Sequence, residues 1–369
     1  MSVETHPQLL ARVREEFAAL HVPGRAIGQA ISEDPDATRT LSGLPCITRI
    51  SRLGLAADDS MAERVAIYET LGHADPNLAA AVPGPVMTGF VLHALADRSQ
   101  LSACQDLFAA APSWSCFALT ERNCGTDATA LETTAVAVDG GWKLDGHKYM
   151  VGQGVVADYI VVFARTGPGP LGVEAFGFCP TAQPGFSASR LPLTGLAGTN
   201  LSQISLQGVL LPDSARLGAH LKPSERARRS VSATLDAMRP CLGAVALGHG
   251  RAVLERAEAE QLVSREWAAP YKLRLAALLN WALRIAAARD AGTVLAREAG
   301  LMKQSATAAA EALVSALWAR LTPEALVSRP WLRRAWRDAG AFEYMEGLSA
   351  IHRVNAAGEF RASGRPAGV

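Results

Sequence analysis

The 369-residue chain predicts an α+β protein in three parts. These are an N-terminal helical domain over 1–112, a small antiparallel β domain over 113–218, and a C-terminal four-helix bundle over 219–369. Three observations carry this. Up to about residue 112, apolar residues recur at helical spacing with charges between them, and no clear strand pattern interrupts them. From Ser113 to Leu217, short apolar or alternating runs follow one another, separated by Gly, Pro and Thr turns, as in a small barrel or sandwich. From Pro223 the helical period returns in long Ala- and Leu-rich segments, the pattern of a bundle.

Taken in order, LLARVREEFAAL opens the helical part. A loop holding Gly43 and Pro45 leads to MAERVAIYETLGHA, which Pro76 stops. PVMTGFVLHALADRS follows, and SACQDLFAAAP closes the part at Pro112. In the middle part, TTAVAVDGGWKLDGHKYMV contains two alternating runs joined by Asp139-Gly140. That dipeptide signals a hairpin because glycine tolerates positive φ. YIVVFAR, VEAFGFCP and SQISLQGVLLP read as further strands. The last part opens on a long helix with a kink expected at Pro240.

Composition excludes several functions. The net charge is +1 with no long basic run, which argues against a nucleic-acid partner. Arg226, Arg228 and Arg229 read as a solvated helix start. The six cysteines are scattered without a C-x-x-C pair, so neither a structural zinc nor a dithiol redox centre is expected. Reduced thiols and the absence of a signal-like N-terminus point to the cytoplasm. No window approaches the ~20 apolar residues that cross a membrane.

The chemistry concentrates in two stretches. Phe117–Asp127, FALTERNCGTD, reads as a strand end running into a tight turn built on Gly125, with Thr120 and Thr126 each followed by an acid. By itself this is also what a polar turn between two strands looks like. The second stretch, RDAGAFEYMEGLSAIHR, places Glu346 before Gly347.

Together these stretches resemble the acyl-CoA dehydrogenase family, whose middle domain opens with T-E-x-x-x-G-[ST]-D and whose chain ends in R-D-…-E-G-T-x-x-I-x-R. GHKYMVGQGVVADYIVVFAR and LAGTNLSQISLQGVLLPDSARLG are similar to two further family runs. The resemblance covers most of the chain, and Lys303 fits a bundle position. It implies an FAD enzyme in which Glu346 removes the α-proton of an acyl thioester while the flavin takes the β-hydrogen. The thioester would be carried by CoA or by an acyl or peptidyl carrier protein. Burial raises a carboxyl pKa and so makes a stronger base. Phe117, Leu119 and Thr120 would then lie along the isoalloxazine, and Gly125 and Thr126 would approach flavin or pantetheine. A homo-oligomer assembled through the bundle is implied as well. Read without the family, Glu346 is a solvated carboxylate at a helix end, as Glu343 is, and Phe117 and Leu119 are core residues.

The chain departs from the family around the cofactor. Met150 stands where the family carries a tryptophan against the flavin, and Gly152 where it carries a threonine. SREWAAP, with Arg265 and Trp267, lacks the phenylalanine and glycine of the family's R-x-x-F-G. ALWARLTPEALVS stands where a glycine-rich run is expected, and Leu348 replaces the threonine after E-G. Glycines in such a run let backbone amides reach a pyrophosphate. Three functions therefore stand side by side: a flavin-dependent dehydrogenase, a flavin-free enzyme using Glu346 for isomerisation, elimination or cyclisation, and a non-catalytic partner subunit.

Overall fold

A computed structural model describes residues 4–56, 59–125, 130–181, 183–229 and 231–362. The N-terminal helices are α1 (His6–Glu16), α2 (His21–Glu33), α3 (Ile47–Ser51), α4 (Met61–Ala74), α5 (Pro76–Ala81), α6 (Thr88–Leu95) and α7 (Arg98–Ala110). The strands are β1 (Ser115–Ala118), β2 (Thr134–Val138), β3 (Gly141–Val151), β4 (Tyr159–Arg165), β5 (Val173–Phe178), β6 (Phe186–Arg190), β7 (Ser202–Pro212) and β8 (Arg216–Leu217). The chain returns to helix in α8 (Pro223–Arg229), α9 (Val231–Ala259), α10 (Arg265–Asp290), α11 (Ala296–Trp318), α12 (Pro323–Val327), α13 (Pro330–Ala341) and α14 (Ser349–Ala362).

The helices on either side of the β domain share one apolar core. Helix α4 is buried along nearly its whole length. It lies so close to α9 that a Cβ on Gly72 would meet the Val245 carbonyl oxygen at 2.3 Å, and one on Gly248 would meet that of Glu69 at 2.1 Å. Only glycines permit this approach. Leu71, Leu242, Ala246, Leu283, Met302 and Ala306 belong to the same buried cluster. At the start of α4, Asp290 at the end of α10 accepts the Met61 and Ala62 N–H groups (2.7 and 3.1 Å) and puts negative charge at the helix N-terminus. Buried Glu69 pairs with Arg14 of α1 and Arg251 of α9, which ties three helices together.

Among the described residues the strands form one sheet in the order β6-β7-β3-β2-β4-β5-β8, with β1 beside β4. It is mainly antiparallel, as expected. The exceptions are β1, parallel to β4 from Ser115↔Tyr159 to Ala118↔Val162, and one parallel pairing of β2 with β4. The Asp139-Gly140 turn joins β2 to β3, with Gly140 at φ +72°. Pro240 sits inside α9 without ending it. Arg226 is a correction. It is buried rather than solvated, donating to Glu174 of β5 and to the Gly218 and Leu221 carbonyls, so it pins α8 to the sheet.

Candidate functional site

The site has two sides, one on the β domain and one at the bundle. On the β side, Tyr149 of β3 donates its N–H to the Thr120 carbonyl at 2.9 Å, so Thr120 lies beside the irregular end of β3. A register shift falls between Lys148 and Val151. Within it Met150 takes φ +56° and is 45 % exposed. Gly125 is exposed and its φ is not left-handed. Among the described residues, a Cβ there would meet only Thr120, at 3.9 Å, and one on Gly152 would meet only the Thr199 carbonyl, at 3.6 Å. The described residues therefore do not themselves demand these two glycines. Phe117 is half-buried and stacks edge-on with Phe163. Leu119 points into the core, so its side chain belongs to packing. Thr126 lies outside the described residues.

Glu121 and Lys148 anchor this edge, a role the sequence reading did not assign. Both are buried, with Lys148 Nζ 2.7 Å from Glu121 Oε1 and 3.1 Å from the Leu119 carbonyl. Glu121 also accepts the N–H groups of Glu132 and Thr133. Burial alone would raise its pKa, but the Lys148 charge and these donors hold it below the usual carboxylate range.

A buried polar relay connects the two sides. The Gln153 amide donates to the Ala80 and Gly198 carbonyls and accepts from Asn200. Asn77 of α5 accepts the Gly198 N–H and donates to Asp338 of α13 at 3.0 Å. Asp338 also accepts the Leu196 N–H at 2.7 Å. Gly152 adjoins one end of this chain of contacts. Helix α13, at the other end, leads directly into the loop that carries Glu346.

That loop runs from the 3-10 turn Phe342–Tyr344 to the start of α14. Glu346 stands at φ +54° and Gly347 at +97°. The left-handed region suits glycine but is strained for glutamate, and such strain collects at functional sites. The Glu346 Oε2 atom is buried and has no hydrogen-bond partner, although the residue as a whole is only half-buried. Burial pushes the carboxyl up to about 7, against opposing pulls from Arg239 and Lys303. Among the described residues no group accepts the Glu346 N–H. The loop's carbonyls are held from outside. Arg239 of α9 donates Nε to the Glu346 carbonyl (3.2 Å), and Lys303 of α11 donates to those of Glu343 and Gly347 (3.0 and 2.9 Å). His352 of α14 is buried against Gly347, its pKa lowered to about 4 chiefly by burial. Glu343 is a second correction. It caps α14 by accepting the Ser349 N–H at 2.8 Å and the Ser349 hydroxyl.

The stretch 316–328, where the family resemblance expects glycines, forms the end of α11, a turn and α12, with the Thr322 hydroxyl capping α12 by accepting the Ala325 N–H. Among the described residues, no cluster of three His, Cys, Asp or Glu side chains could hold a metal ion. No described helix is long and apolar enough to cross a membrane.

The architecture is that of an α+β protein with a mixed β domain between two sets of helices and an unpaired, buried carboxyl oxygen on a loop of the second set. The comparisons with known proteins are more specific. The family model "Acyl-CoA dehydrogenase, middle domain" matches residues 116–209, and "Acyl-CoA dehydrogenase, C-terminal domain" matches 225–359. The chain belongs to the acyl-CoA dehydrogenase family of oxidoreductases. It is 28% identical over 342 residues to the human (Homo sapiens) mitochondrial short-chain specific acyl-CoA dehydrogenase, covering 88% of this chain and 81% of that one. It is 32% identical over 104 residues to an L-prolyl peptidyl-carrier-protein dehydrogenase from a Serratia species, covering 27% of each. A glutaryl-CoA dehydrogenase from Mycobacterium smegmatis, solved in complex with FADH2, matches the fold with a TM-score of 0.81 at 20% identity, over 100% of this chain and 97% of that one.

Proposed function

We propose that this protein dehydrogenates an acyl thioester carried by CoA or by an acyl or peptidyl carrier protein, with Glu346 as the base. The Glu346 Oε2 atom carries this reading, because it is buried, unpartnered and part of a carboxyl pushed up to about 7. A base poised near working pH transfers protons efficiently. Oε2 takes the α-proton. The unpartnered Glu346 N–H is free to donate to the thioester oxygen as negative charge develops there. Arg239 and Lys303 keep the loop in place during the transfer.

The β-domain edge supports FAD as the cofactor: Thr120 lies against Gly125, Phe117 is half-buried and Met150 is exposed. When bound, FAD supplies the acceptor for the β-hydrogen as hydride, and an α,β-unsaturated thioester results. That a related fold is solved with FADH2 supports this cofactor. Homo-oligomerisation through the bundle belongs to the same reading, and exposed Leu273, Val327 and Trp336 support it.

One observation favours a second reading, in which the base acts without oxidation. Residues 316–328 end α11 and form α12 in place of a glycine-rich phosphate cradle. Two measurements on pure protein separate the readings: the visible spectrum, and solvent deuterium exchange at the substrate α-carbon with and without Glu346→Gln. Flavin bands with exchange that needs Glu346 support the dehydrogenase. Colourless protein that takes up no FAD yet exchanges supports non-oxidative chemistry. Exchange that survives in Glu346→Gln refutes the base assignment.

A further inference from the structure

We infer that Lys303 is a positioning residue for Glu346, its ammonium gripping the carbonyls of Glu343 and Gly347 on either side of the base so that the carboxyl is held in one place beside a fixed positive charge. The inference deepens the base reading above and rests on it.

Lys303 lies on the buried stripe of α11 with Ala299, Ala306 and Ala310, and is itself wholly buried. Among the described residues it makes no ion pair with a carboxylate. Its acceptors are the two loop carbonyls, at 3.0 and 2.9 Å. A buried ammonium satisfied by neutral groups is costly, and an apolar side chain of similar volume would pack there more cheaply. The cost falls beside the one segment that needs outside support. Between Phe342 and Ser349 the backbone supplies few hydrogen bonds of its own, and two consecutive residues hold positive φ. Three consecutive-turn carbonyls, those of Glu343, Glu346 and Gly347, are instead held by Lys303 and Arg239.

Of the other groups around the base, Arg239 also acts on the carboxyl with a positive charge, and Tyr68, Cys241, His352 and Glu343 do not. Tyr68 of α4 and Cys241 of α9 are neutral, burial pushing the thiol up to about 12 and the phenol higher still. His352 of α14 stays neutral at pH 7, Arg239 is paired with Asp236, and Glu343 is engaged by Ser349. Burial lowers Lys303 itself to about 8. The grip therefore titrates as well, coupled through its charge to the base.

The test compares Lys303→Gln, which keeps donors but no charge, with Lys303→Arg, which keeps the charge and cannot lose its proton. Glu346 is followed directly by carboxyl-carbon NMR on substrate-free protein, with Glu346→Gln to assign the signal. In parallel, kcat and KM are followed against pH. In Lys303→Gln, the Glu346 titration and the acid limb of kcat move up by about one pH unit. The basic limb near 8 disappears, and kcat falls at least tenfold with KM little changed. In Lys303→Arg, the acid limb returns to the wild-type position and the basic limb moves beyond pH 10. A Glu346 titration unmoved in Lys303→Gln, with only thermal stability reduced, overturns the inference and leaves Lys303 a structural residue. A titration that moves in protein that oxidises no thioester keeps this inference and overturns the dehydrogenase reading. Should Lys303→Gln not fold, a basic limb still near 8 in Lys303→Arg overturns the inference.

Discussion

A Glu and a Lys stand at each side of the site, and the two sets are built in opposite ways. Glu121 and Lys148 touch each other, and every oxygen of the carboxylate has a donor, so the pair is closed and anchors the β-domain edge. Glu346 and Lys303 do not touch. The carboxyl keeps an empty-handed oxygen, and the lysine holds the backbone around it. A satisfied carboxylate is held in its charged form and has no proton work to do. An unsatisfied one sits near its own pKa and can exchange a proton with whatever enters.

The sharpest way to break this contrast is Glu346→Gln. Turnover should fall about a hundred- to ten-thousand-fold, read as the rate of thioester oxidation. The same variant should gain stability. A carboxyl raised to about 7 from its ordinary 4.5 binds its proton more tightly in the folded state, so its cost to stability grows as pH rises from 4.5 and is complete above about 7. Denaturant titration should show Glu346→Gln more stable at pH 8 by up to about 3 kcal/mol, with the gain vanishing as pH falls to 4.5. Equal stability at both pH values would contradict the burial argument.

Lys148→Met should do the reverse. Removing one partner of the closed pair should cost about 3–5 kcal/mol of stability and leave the acid limb of any residual activity where it was. A moved limb would mean that the two sides are electrically coupled. Asn77→Ala cuts the relay between the sides and strands the Gly198 N–H, at about 1–3 kcal/mol. It should lower flavin affinity and thermal stability together, read by fluorescence titration and melting. The smallest effect is expected from Met150→Trp. An aromatic face at that exposed rim should tighten FAD by about 0.5–1.5 kcal/mol, a few-fold change by the same titration, with no change in the acid limb.

Much of the fold was legible because period and turn chemistry are local. The hairpin at Asp139-Gly140, the strand YIVVFAR and the Ala-rich helices α9 to α11 all follow from spacing. Helix α2 carries Pro23, Gly24 and Gly28, residues of poor intrinsic helix propensity, so its local signal is weak. The glycines are there for contact, because a Cβ on Gly28 would fall 2.3 Å from the Asp75 side chain. Strand β6, FSASR, alternates only Phe186 and Ala188 with polar residues, too short a signal to stand alone, and its pairing with β7 holds it in the sheet. Lys303 left a signal, a lysine in phase with a buried alanine stripe, but that phase does not say which carbonyls it will meet.

The sequence by itself determined the helical–β–helical order, a turn following the strand that ends near Thr120, and the glutamate–glycine pair at 346–347. Each of these is written in neighbouring residues. Only the tertiary structure decided that the Glu346 Oε2 atom would be dry and unpaired while Glu121 was dry and paired. Desolvation and partnership are set by α4, α9, α11 and the sheet, whose residues lie far apart in the chain and meet only when it folds.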